Sequence, residues 1–177
     1  AGRAISHNLG SAPGMVVIKG VSDSSDWSVF HRSVGNAKYM AWNENSAEQS
    51  DSTRFQSTTP TSTQFTVGSG NAVNGSGRTY VAYLFAHNTD TISCGEYSGN
   101  GSATGPTVDI GFEPQWLMVK RKDSADGWAI VDSQRGFDTS GSVNVLRIND
   151  NGADAAATRV KTNSSGFQIV TTDNEWN

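Results

Sequence analysis

Cysteine occurs once, at Cys94. No disulfide can close within the chain, and no pair of thiolates is available for zinc, so Cys94 reads as a small apolar filler in a strand. Charge of one sign is also missing: 13 basic residues stand against 17 acidic ones, a net charge of −4, and no basic run occurs. That excludes the phosphate-neutralising surface which nucleic-acid binding requires. No apolar run reaches the ~18 residues that span a bilayer, so no membrane partner is expected. Ala1-Gly2-Arg3-Ala4 lacks the apolar core of a secretion signal. Leu, Lys and Glu, the usual helix builders, are scarce, whereas Gly, Ser, Thr, Asn and Asp are abundant. Small polar residues of that kind satisfy turn geometries, so many short strands joined by turns are expected.

What is present is a duplication. Pro13-Gly14-Met15-Val16-Val17-Ile18-Lys19, an acidic turn and Trp27-Ser28-Val29-Phe30 return as Pro114-Gln115-Trp116-Leu117-Met118-Val119-Lys120, an acidic turn and Trp128-Ala129-Ile130-Val131. Pro13 to Pro114, Lys19 to Lys120, Trp27 to Trp128 and Gly35 to Gly136 all differ by 101 positions. A gap-free match of that length points to tandem units of about a hundred residues. The fold expected is all-β: two tandem antiparallel β-sandwich, jelly-roll-like units over 1–100 and 101–177. The second is expected to be incomplete at its C-terminal end, because no counterpart of Arg78 to Ala86 follows Trp176-Asn177. The chain therefore reads as a piece of a longer repeat protein.

Along the chain, Met15 to Lys19 is a continuous apolar run and predicts a strand covered on both faces. Ser22 to Asp26 makes the turn, and Trp27, Val29 and His31 share one face of the returning strand, opposite Ser28, Phe30 and Arg32. Lys38 to Trp42 and Gln64 to Val67 are further strands. Arg78 to Ala86 is apolar on both faces and predicts the central strand of the first unit. Thr91 to Tyr97 predicts one more strand, while 43–54 and 149–158 read as polar loops.

The phrases His7-Asn8-Leu9-Gly10-Ser11-Ala12-Pro13-Gly14-Met15-Val16-Val17-Ile18-Lys19, Trp27-Ser28-Val29-Phe30-His31-Arg32, Gly77-Arg78-Thr79-Tyr80-Val81-Ala82-Tyr83-Leu84-Phe85-Ala86 and Tyr97-Ser98-Gly99-Asn100-Gly101 resemble a repeat domain of unknown function found in virion-associated proteins of marine bacteriophages, cyanobacterial phages among them. The resemblance covers essentially the whole chain and implies a tail-fibre, tail-tip or other particle-surface protein. It implies other virion proteins as partners, a host-surface glycan as a further one, and a homo-oligomer as a form of assembly. It transfers no catalytic residues. The second copy departs from the pattern where Asp132-Ser133 replace His31-Arg32.

For chemistry, a nucleophilic triad needs a nucleophile, a base and an orienting acid brought together. Here His7, His31 and His87 are scattered, no Gly-x-Ser-x-Gly elbow occurs, and the second copy has no histidine. A non-enzymatic protein without a cofactor is expected. Asp23 with Asp26, and Asp123 with Asp126, form the same turn twice; calcium uses such oxygens, but none of these turns fits the twelve-residue calcium loop, and turn capping accounts for them. Trp27, Trp116 and Trp128 lie in apolar strands and read as core. Trp42 and Trp176 lie beside polar loops, where an exposed indole stacks on a sugar ring or simply packs. The function expected is a structural phage virion component for assembly and host-surface attachment. A carbohydrate-binding module and a fragment of a polysaccharide depolymerase are the alternatives.

Overall fold

The apolar run at Met15 becomes the middle of a sheet because both its faces and both its edges are covered. In a computed structural model, which describes residues 2–88 and 90–177 and leaves Ala1 and Thr89 outside the description, the strands of the first unit are β1 (Arg3–Ser6), β2 (Pro13–Gly20), β3 (Ser28–His31), β4 (Lys38–Ala41), β5 (Gln49–Ser50), β6 (Gln64–Val67) and β7 (Tyr80–Ala86). Two single-turn helices, α1 (Ser52–Phe55) and α2 (Asn71–Asn74), interrupt them. The larger sheet runs β5-β4-β3-β2-β7 and the smaller pairs β1 with β6, all antiparallel. Val16, Ile18, Phe30 and Tyr39 on one layer meet Phe55, Phe65, Val67 and Val73 on the other, with Ile5, Tyr80 and Leu84 at the margin. The first unit is thus a two-layer sandwich.

The second unit repeats this plan with β8 (Thr107–Asp109), β9 (Trp116–Lys120), β10 (Trp128–Asp132), β11 (Ser142–Arg147), β12 (Ala155–Thr158), β13 (Val160–Asn163) and β14 (Gly166–Ile169). Its sheets run β12-β11-β10-β9 and β13-β14-β8. Val119, Ala129, Val131, Val143 and Val145 face Val160, Phe167, Ile169 and Trp176, so this unit also buries one core between two sheets. The pairing of β8 with β14 restates that of β1 with β6. By contact density the chain divides into residues up to Asn88 with Ile92–Gly95 and Lys122–Ser124, and a second unit holding Glu96–Arg121 and Ala125–Asn177. All-β architecture with an internal duplication is therefore what the structure shows.

Several local expectations are corrected. β7 is an edge strand, and Val81 and Tyr83 are 40% and 47% exposed. β2 lies inside the sheet, between β3 and β7, with Val16 and Val17 fully buried. Residues 91–97 form no strand. The loop over 149–158 ends in β12, and β13 turns directly into β14, a hairpin that its mixed Lys, Thr and Asn content had concealed. Trp116 and Trp176 exchange the environments expected of them: Trp116 is 50% exposed, and Trp176 is 1% exposed within the second core.

One device recurs in both hairpins, and a second is confined to the first unit. Asn43 Oδ1 accepts the backbone N–H of Trp27 at 2.9 Å, and Asn149 Oδ1 accepts that of Trp128 at 2.8 Å. Each asparagine satisfies a donor at a strand's entry, where a ladder partner is lacking. Ser28, buried with no exposed surface, is answered by Arg54, which donates to its Oγ at 2.7 Å, lies 4.4 Å from the Tyr39 ring centroid and pairs with Asp51 at 3.2 Å.

Candidate functional site

On the outer face of the first unit's larger sheet, exposed Tyr83 and half-buried Trp27 and Trp42 build an aromatic ledge over buried Val17, Val29 and Met40. Successive residues of a strand alternate between faces, so Trp27, Val29, Val17, Met40, Tyr83 and Trp42 all project on the face opposite the core. Tyr83 stacks on Trp27 with centroids 6.2 Å apart and planes 24° apart, and Trp42 meets Trp27 edge-on at 5.8 Å. Asn43 holds the base of the ledge, donating from Nδ2 to Asp26 Oδ1 at 2.8 Å while accepting from Trp27. An exposed ring backed by a second ring is a rigid apolar surface with hydrogen-bonding groups at its rim. Such a surface suits the C–H face of a sugar ring. The second unit has no such ledge: Ile148 occupies the place of Trp42, its N–H reaching Trp128 O at 3.2 Å as that of Trp42 reaches Trp27 O at 3.0 Å.

Of the aromatic candidates, Trp42 belongs to this ledge. Trp176 does not offer a face to any ligand. It is enclosed in the core, its Nε1 donates to Glu175 Oε2 at 3.2 Å, and its carbonyl accepts from Tyr97 Oη at 2.7 Å. Nothing in the sequence marks Tyr83, because a strand apolar on both faces predicts cover on both.

The aspartate pairs behave as turn residues. Asp23 Oδ1 accepts the Ser25 N–H at 2.8 Å and its other oxygen pairs with Arg78. The Ser25 hydrogen bonds, with help from Arg78, hold the carboxyl below its ordinary range. Lys19 donates to Ser25 O at 2.6 Å, closing the same turn. Asp26 is engaged by Asn43, and Asp126 lies 3.6 Å from Arg121. Asp123 lies in the matching turn. Among the described residues no three His, Cys, Asp or Glu side chains gather in a way that would hold a metal ion.

The histidines also serve turns. His7 Nδ1 accepts from Leu9 N at 3.2 Å, His31 Nδ1 from Ser33 N at 3.2 Å, and His87 Nδ1 from Cys94 N at 3.1 Å. Burial, aided by Arg32, lowers the His87 pKa, and burial raises that of the Cys94 thiol. The adjacent imidazole and thiol thus both favour their neutral forms, and the ring nitrogen that faces Cys94 is occupied by its backbone. That is a structural arrangement rather than an activated nucleophile. A cavity of about 460 Å³ opens nearby between Pro13, Phe30, Arg32, Thr59, Pro60 and His87. Its apolar floor and single cationic side supply no paired carboxylates for bond cleavage.

One carboxylate stands apart. Glu175 is 7% exposed, and Arg147 NH2 donates to its Oε2 at 2.5 Å. Burial pushes its pKa up, Arg147 opposes that in part, and Asp173 adds to the rise. A carboxyl with a raised folded value binds its proton more tightly when folded. Its stabilising contribution is complete below the unfolded value and is lost as pH rises through the folded one. Urea unfolding should therefore show a rise in stability from this group as pH is lowered toward the ordinary glutamate value, set against the loss at His87, whose folded value is depressed. Glu175→Gln should flatten that rise. At lower pH the sign reverses, because Asp23, Asp51 and Asp138 have depressed values and lose their contributions as pH falls through them. A rise that survives the Gln substitution would assign it to another group.

A model of a family described as a domain of unknown function, DUF7483, matches residues 1–177. The chain belongs to this family. A DUF7483 domain as matched here spans both units, so the duplication lies inside the family's domain. Neither curated proteins nor solved structures give a significant match.

Proposed function

We propose that this DUF7483 chain is a non-enzymatic attachment and assembly module of a bacteriophage particle, carried on a tail fibre or tail tip, and that its first unit binds a saccharide of the host surface. The observation that supports the reading best is the ledge, where Tyr83 is 47% exposed and held flat against Trp27. The likeness of the sequence to virion repeat domains supplies the particle context. Stacking on one aromatic pair is worth about 1 kcal/mol, so a single copy binds weakly and several displayed copies bind usefully. The depolymerase reading gains no support, since the carboxylates around the ledge are committed to Asn43, Ser25 and Arg78.

The test is affinity electrophoresis of the 177-residue chain through gels containing host envelope polysaccharide. Retardation is expected, and Tyr83→Ala or Trp27→Ala should weaken it roughly tenfold. Ile148→Ala, placed at the equivalent position of the second unit, should leave it unchanged. Mobility indifferent to polysaccharide would refute the attachment half of the proposal. Release of reducing ends from the gel would refute the non-enzymatic half.

A further inference from the structure

The turn that follows β3 is built alike in both units, which makes its differences readable. Met15 faces His31 as Trp116 faces Asp132, and Gly35 and Gly136 both turn the chain at positive φ, 87° and 89°. In the second unit the residue after that glycine is Phe137, 2% exposed and part of the core, and Thr162 Oγ1 donates to Glu113 Oε1 at 3.1 Å. The cation of that turn, Arg135, is paired with Asp132. In the first unit the residues corresponding to Phe137 and Glu113 are Asn36 and Ala12, and the cavity of about 460 Å³ opens between them. Its cation is Arg32, where the second unit has Ser133. Among the described residues no carboxylate pairs with the Arg32 guanidinium, although acidic residues outnumber basic ones by 17 to 13.

The other walls of the cavity are held in place. Phe30, 3% exposed, is tilted against Phe55 with centroids 5.7 Å apart, which makes a fixed aromatic floor. Asn36 Nδ2 donates to Thr59 Oγ1 at 2.7 Å, leaving the threonine its proton to give and the asparagine its amide oxygen to accept with. His87 Nδ1 accepts from Cys94 N at 3.1 Å, so the neutral ring carries its proton on Nε2 as a remaining donor. A guanidinium matches a carboxylate with two parallel hydrogen bonds. Hydroxyl, amide and imidazole groups around it suit ring hydroxyls, and an aromatic floor suits the C–H face of the ring. The volume is that of a small-ligand pocket.

We propose that this cavity is a binding site for a sugar acid of the hexuronate class, its carboxylate paired with Arg32 and its ring lying over Phe30. Trp27 precedes β3 and Arg32 follows it, so the site lies at the other end of that strand from the aromatic ledge. It is a second site with a different ligand charge, and it stands if the ledge binds no saccharide.

The experiment titrates sodium glucuronate into the isotopically labelled 177-residue chain at constant ionic strength and follows the backbone amide resonances. Saturable shifts are expected at Arg32, Gly35, Asn36 and His87, with a Kd of about 1 mM for so small a ligand. Glucose has the ring without the carboxylate, and acetate the carboxylate without the ring. Each should bind at least about tenfold more weakly. Arg32→Gln should weaken glucuronate binding at least about tenfold, and Arg32→Lys, which keeps the charge but loses the fork, by less. Arg32 is exposed and its backbone N–H bond to Gly14 O survives either substitution, so both variants should keep the parent's spectrum away from the cavity. Arg3→Gln, which removes a charge at the start of β1, should change binding less than about twofold. Asn36→Phe places the second unit's residue in the cavity and should abolish binding. Methyl glucuronide separates two sources of the ligand: binding equal to that of glucuronate assigns the end residue of a polymer, and lost binding assigns the free acid. Acetate or glucose binding as tightly as glucuronate, shifts confined to Trp27, Trp42 and Tyr83, or parent-like binding by Arg32→Gln would each overturn the proposal.

Discussion

Replacing Trp176 by alanine is expected to cost about 4 kcal/mol, the upper range for deleting a large aromatic side chain from a core. The indole is 1% exposed and packed among Val160, Phe167 and Ile169. Its loss also strips Glu175 Oε2 of one of two donors, leaving a buried carboxylate held only by Arg147. Trp116→Ala is the matched control: the same deletion from a half-exposed site should cost less than about 1 kcal/mol. Urea unfolding of the two variants, read by circular dichroism, checks the contrast. Equal losses would mean that the second core is not closed by Trp176.

The second large effect is expected at Gly68. A Cβ there would lie 2.1 Å from the carbonyl oxygen of Thr53 and 2.8 Å from its Cα, and backbone of a helix cannot give way as a side-chain tip can. Gly68 N–H also bonds to Arg54 O at 2.8 Å, and Gly70 N–H to Thr53 O at 2.9 Å, so α1 is laced to the end of β6. Gly68→Ala must push α1 outward and take the Arg54 guanidinium off Ser28 Oγ, stranding a hydroxyl that has no exposed surface. A loss of about 3 kcal/mol is expected, overpacking and an unmade buried hydrogen bond together. Chemical denaturation measures it. An Ala variant within about 0.5 kcal/mol of the parent would show that α1 yields freely.

Periodicity exposed the hairpins because a strand's alternation is local. Trp27, Val29 and His31 fall on one face as their spacing requires, and the offset of 101 between copies is readable with no structure at all. Where a strand sits in its sheet is a different matter. The apolar character of both faces of β7 was equally compatible with a middle strand and with an edge strand whose exposed rings form a ledge. Only the register of β2 against both β3 and β7 distinguishes them. The tryptophans failed for the same reason. Trp176 follows a polar stretch, and nothing local reveals that Thr171 to Glu175 wraps it into the core. Trp116 opens an apolar strand, and nothing local reveals that the neighbouring place is open. Trp27 reads as core, yet it is the opposite face, with Ser28 and Phe30, that turns inward, and the partner of Ser28, Arg54, lies 26 residues away with no sequence signature.

The path of β2 bears on how fast each unit assembles. In the second unit every neighbour in the larger sheet is also the next strand in sequence, so β9 to β12 can pair by successive short turns. In the first unit β2 must also capture β7, whose first residue lies 60 positions beyond the last residue of β2. Drawing in such a loop costs entropy before any ladder bond is made, and folding slows as pairings become less local. The larger sheet of the first unit should therefore form after that of the second. During synthesis, Met15 and Val17 emerge long before Tyr83 and Phe85. Until those residues arrive, the nascent chain carries on β2 a bare apolar edge that only β7 covers in the folded unit.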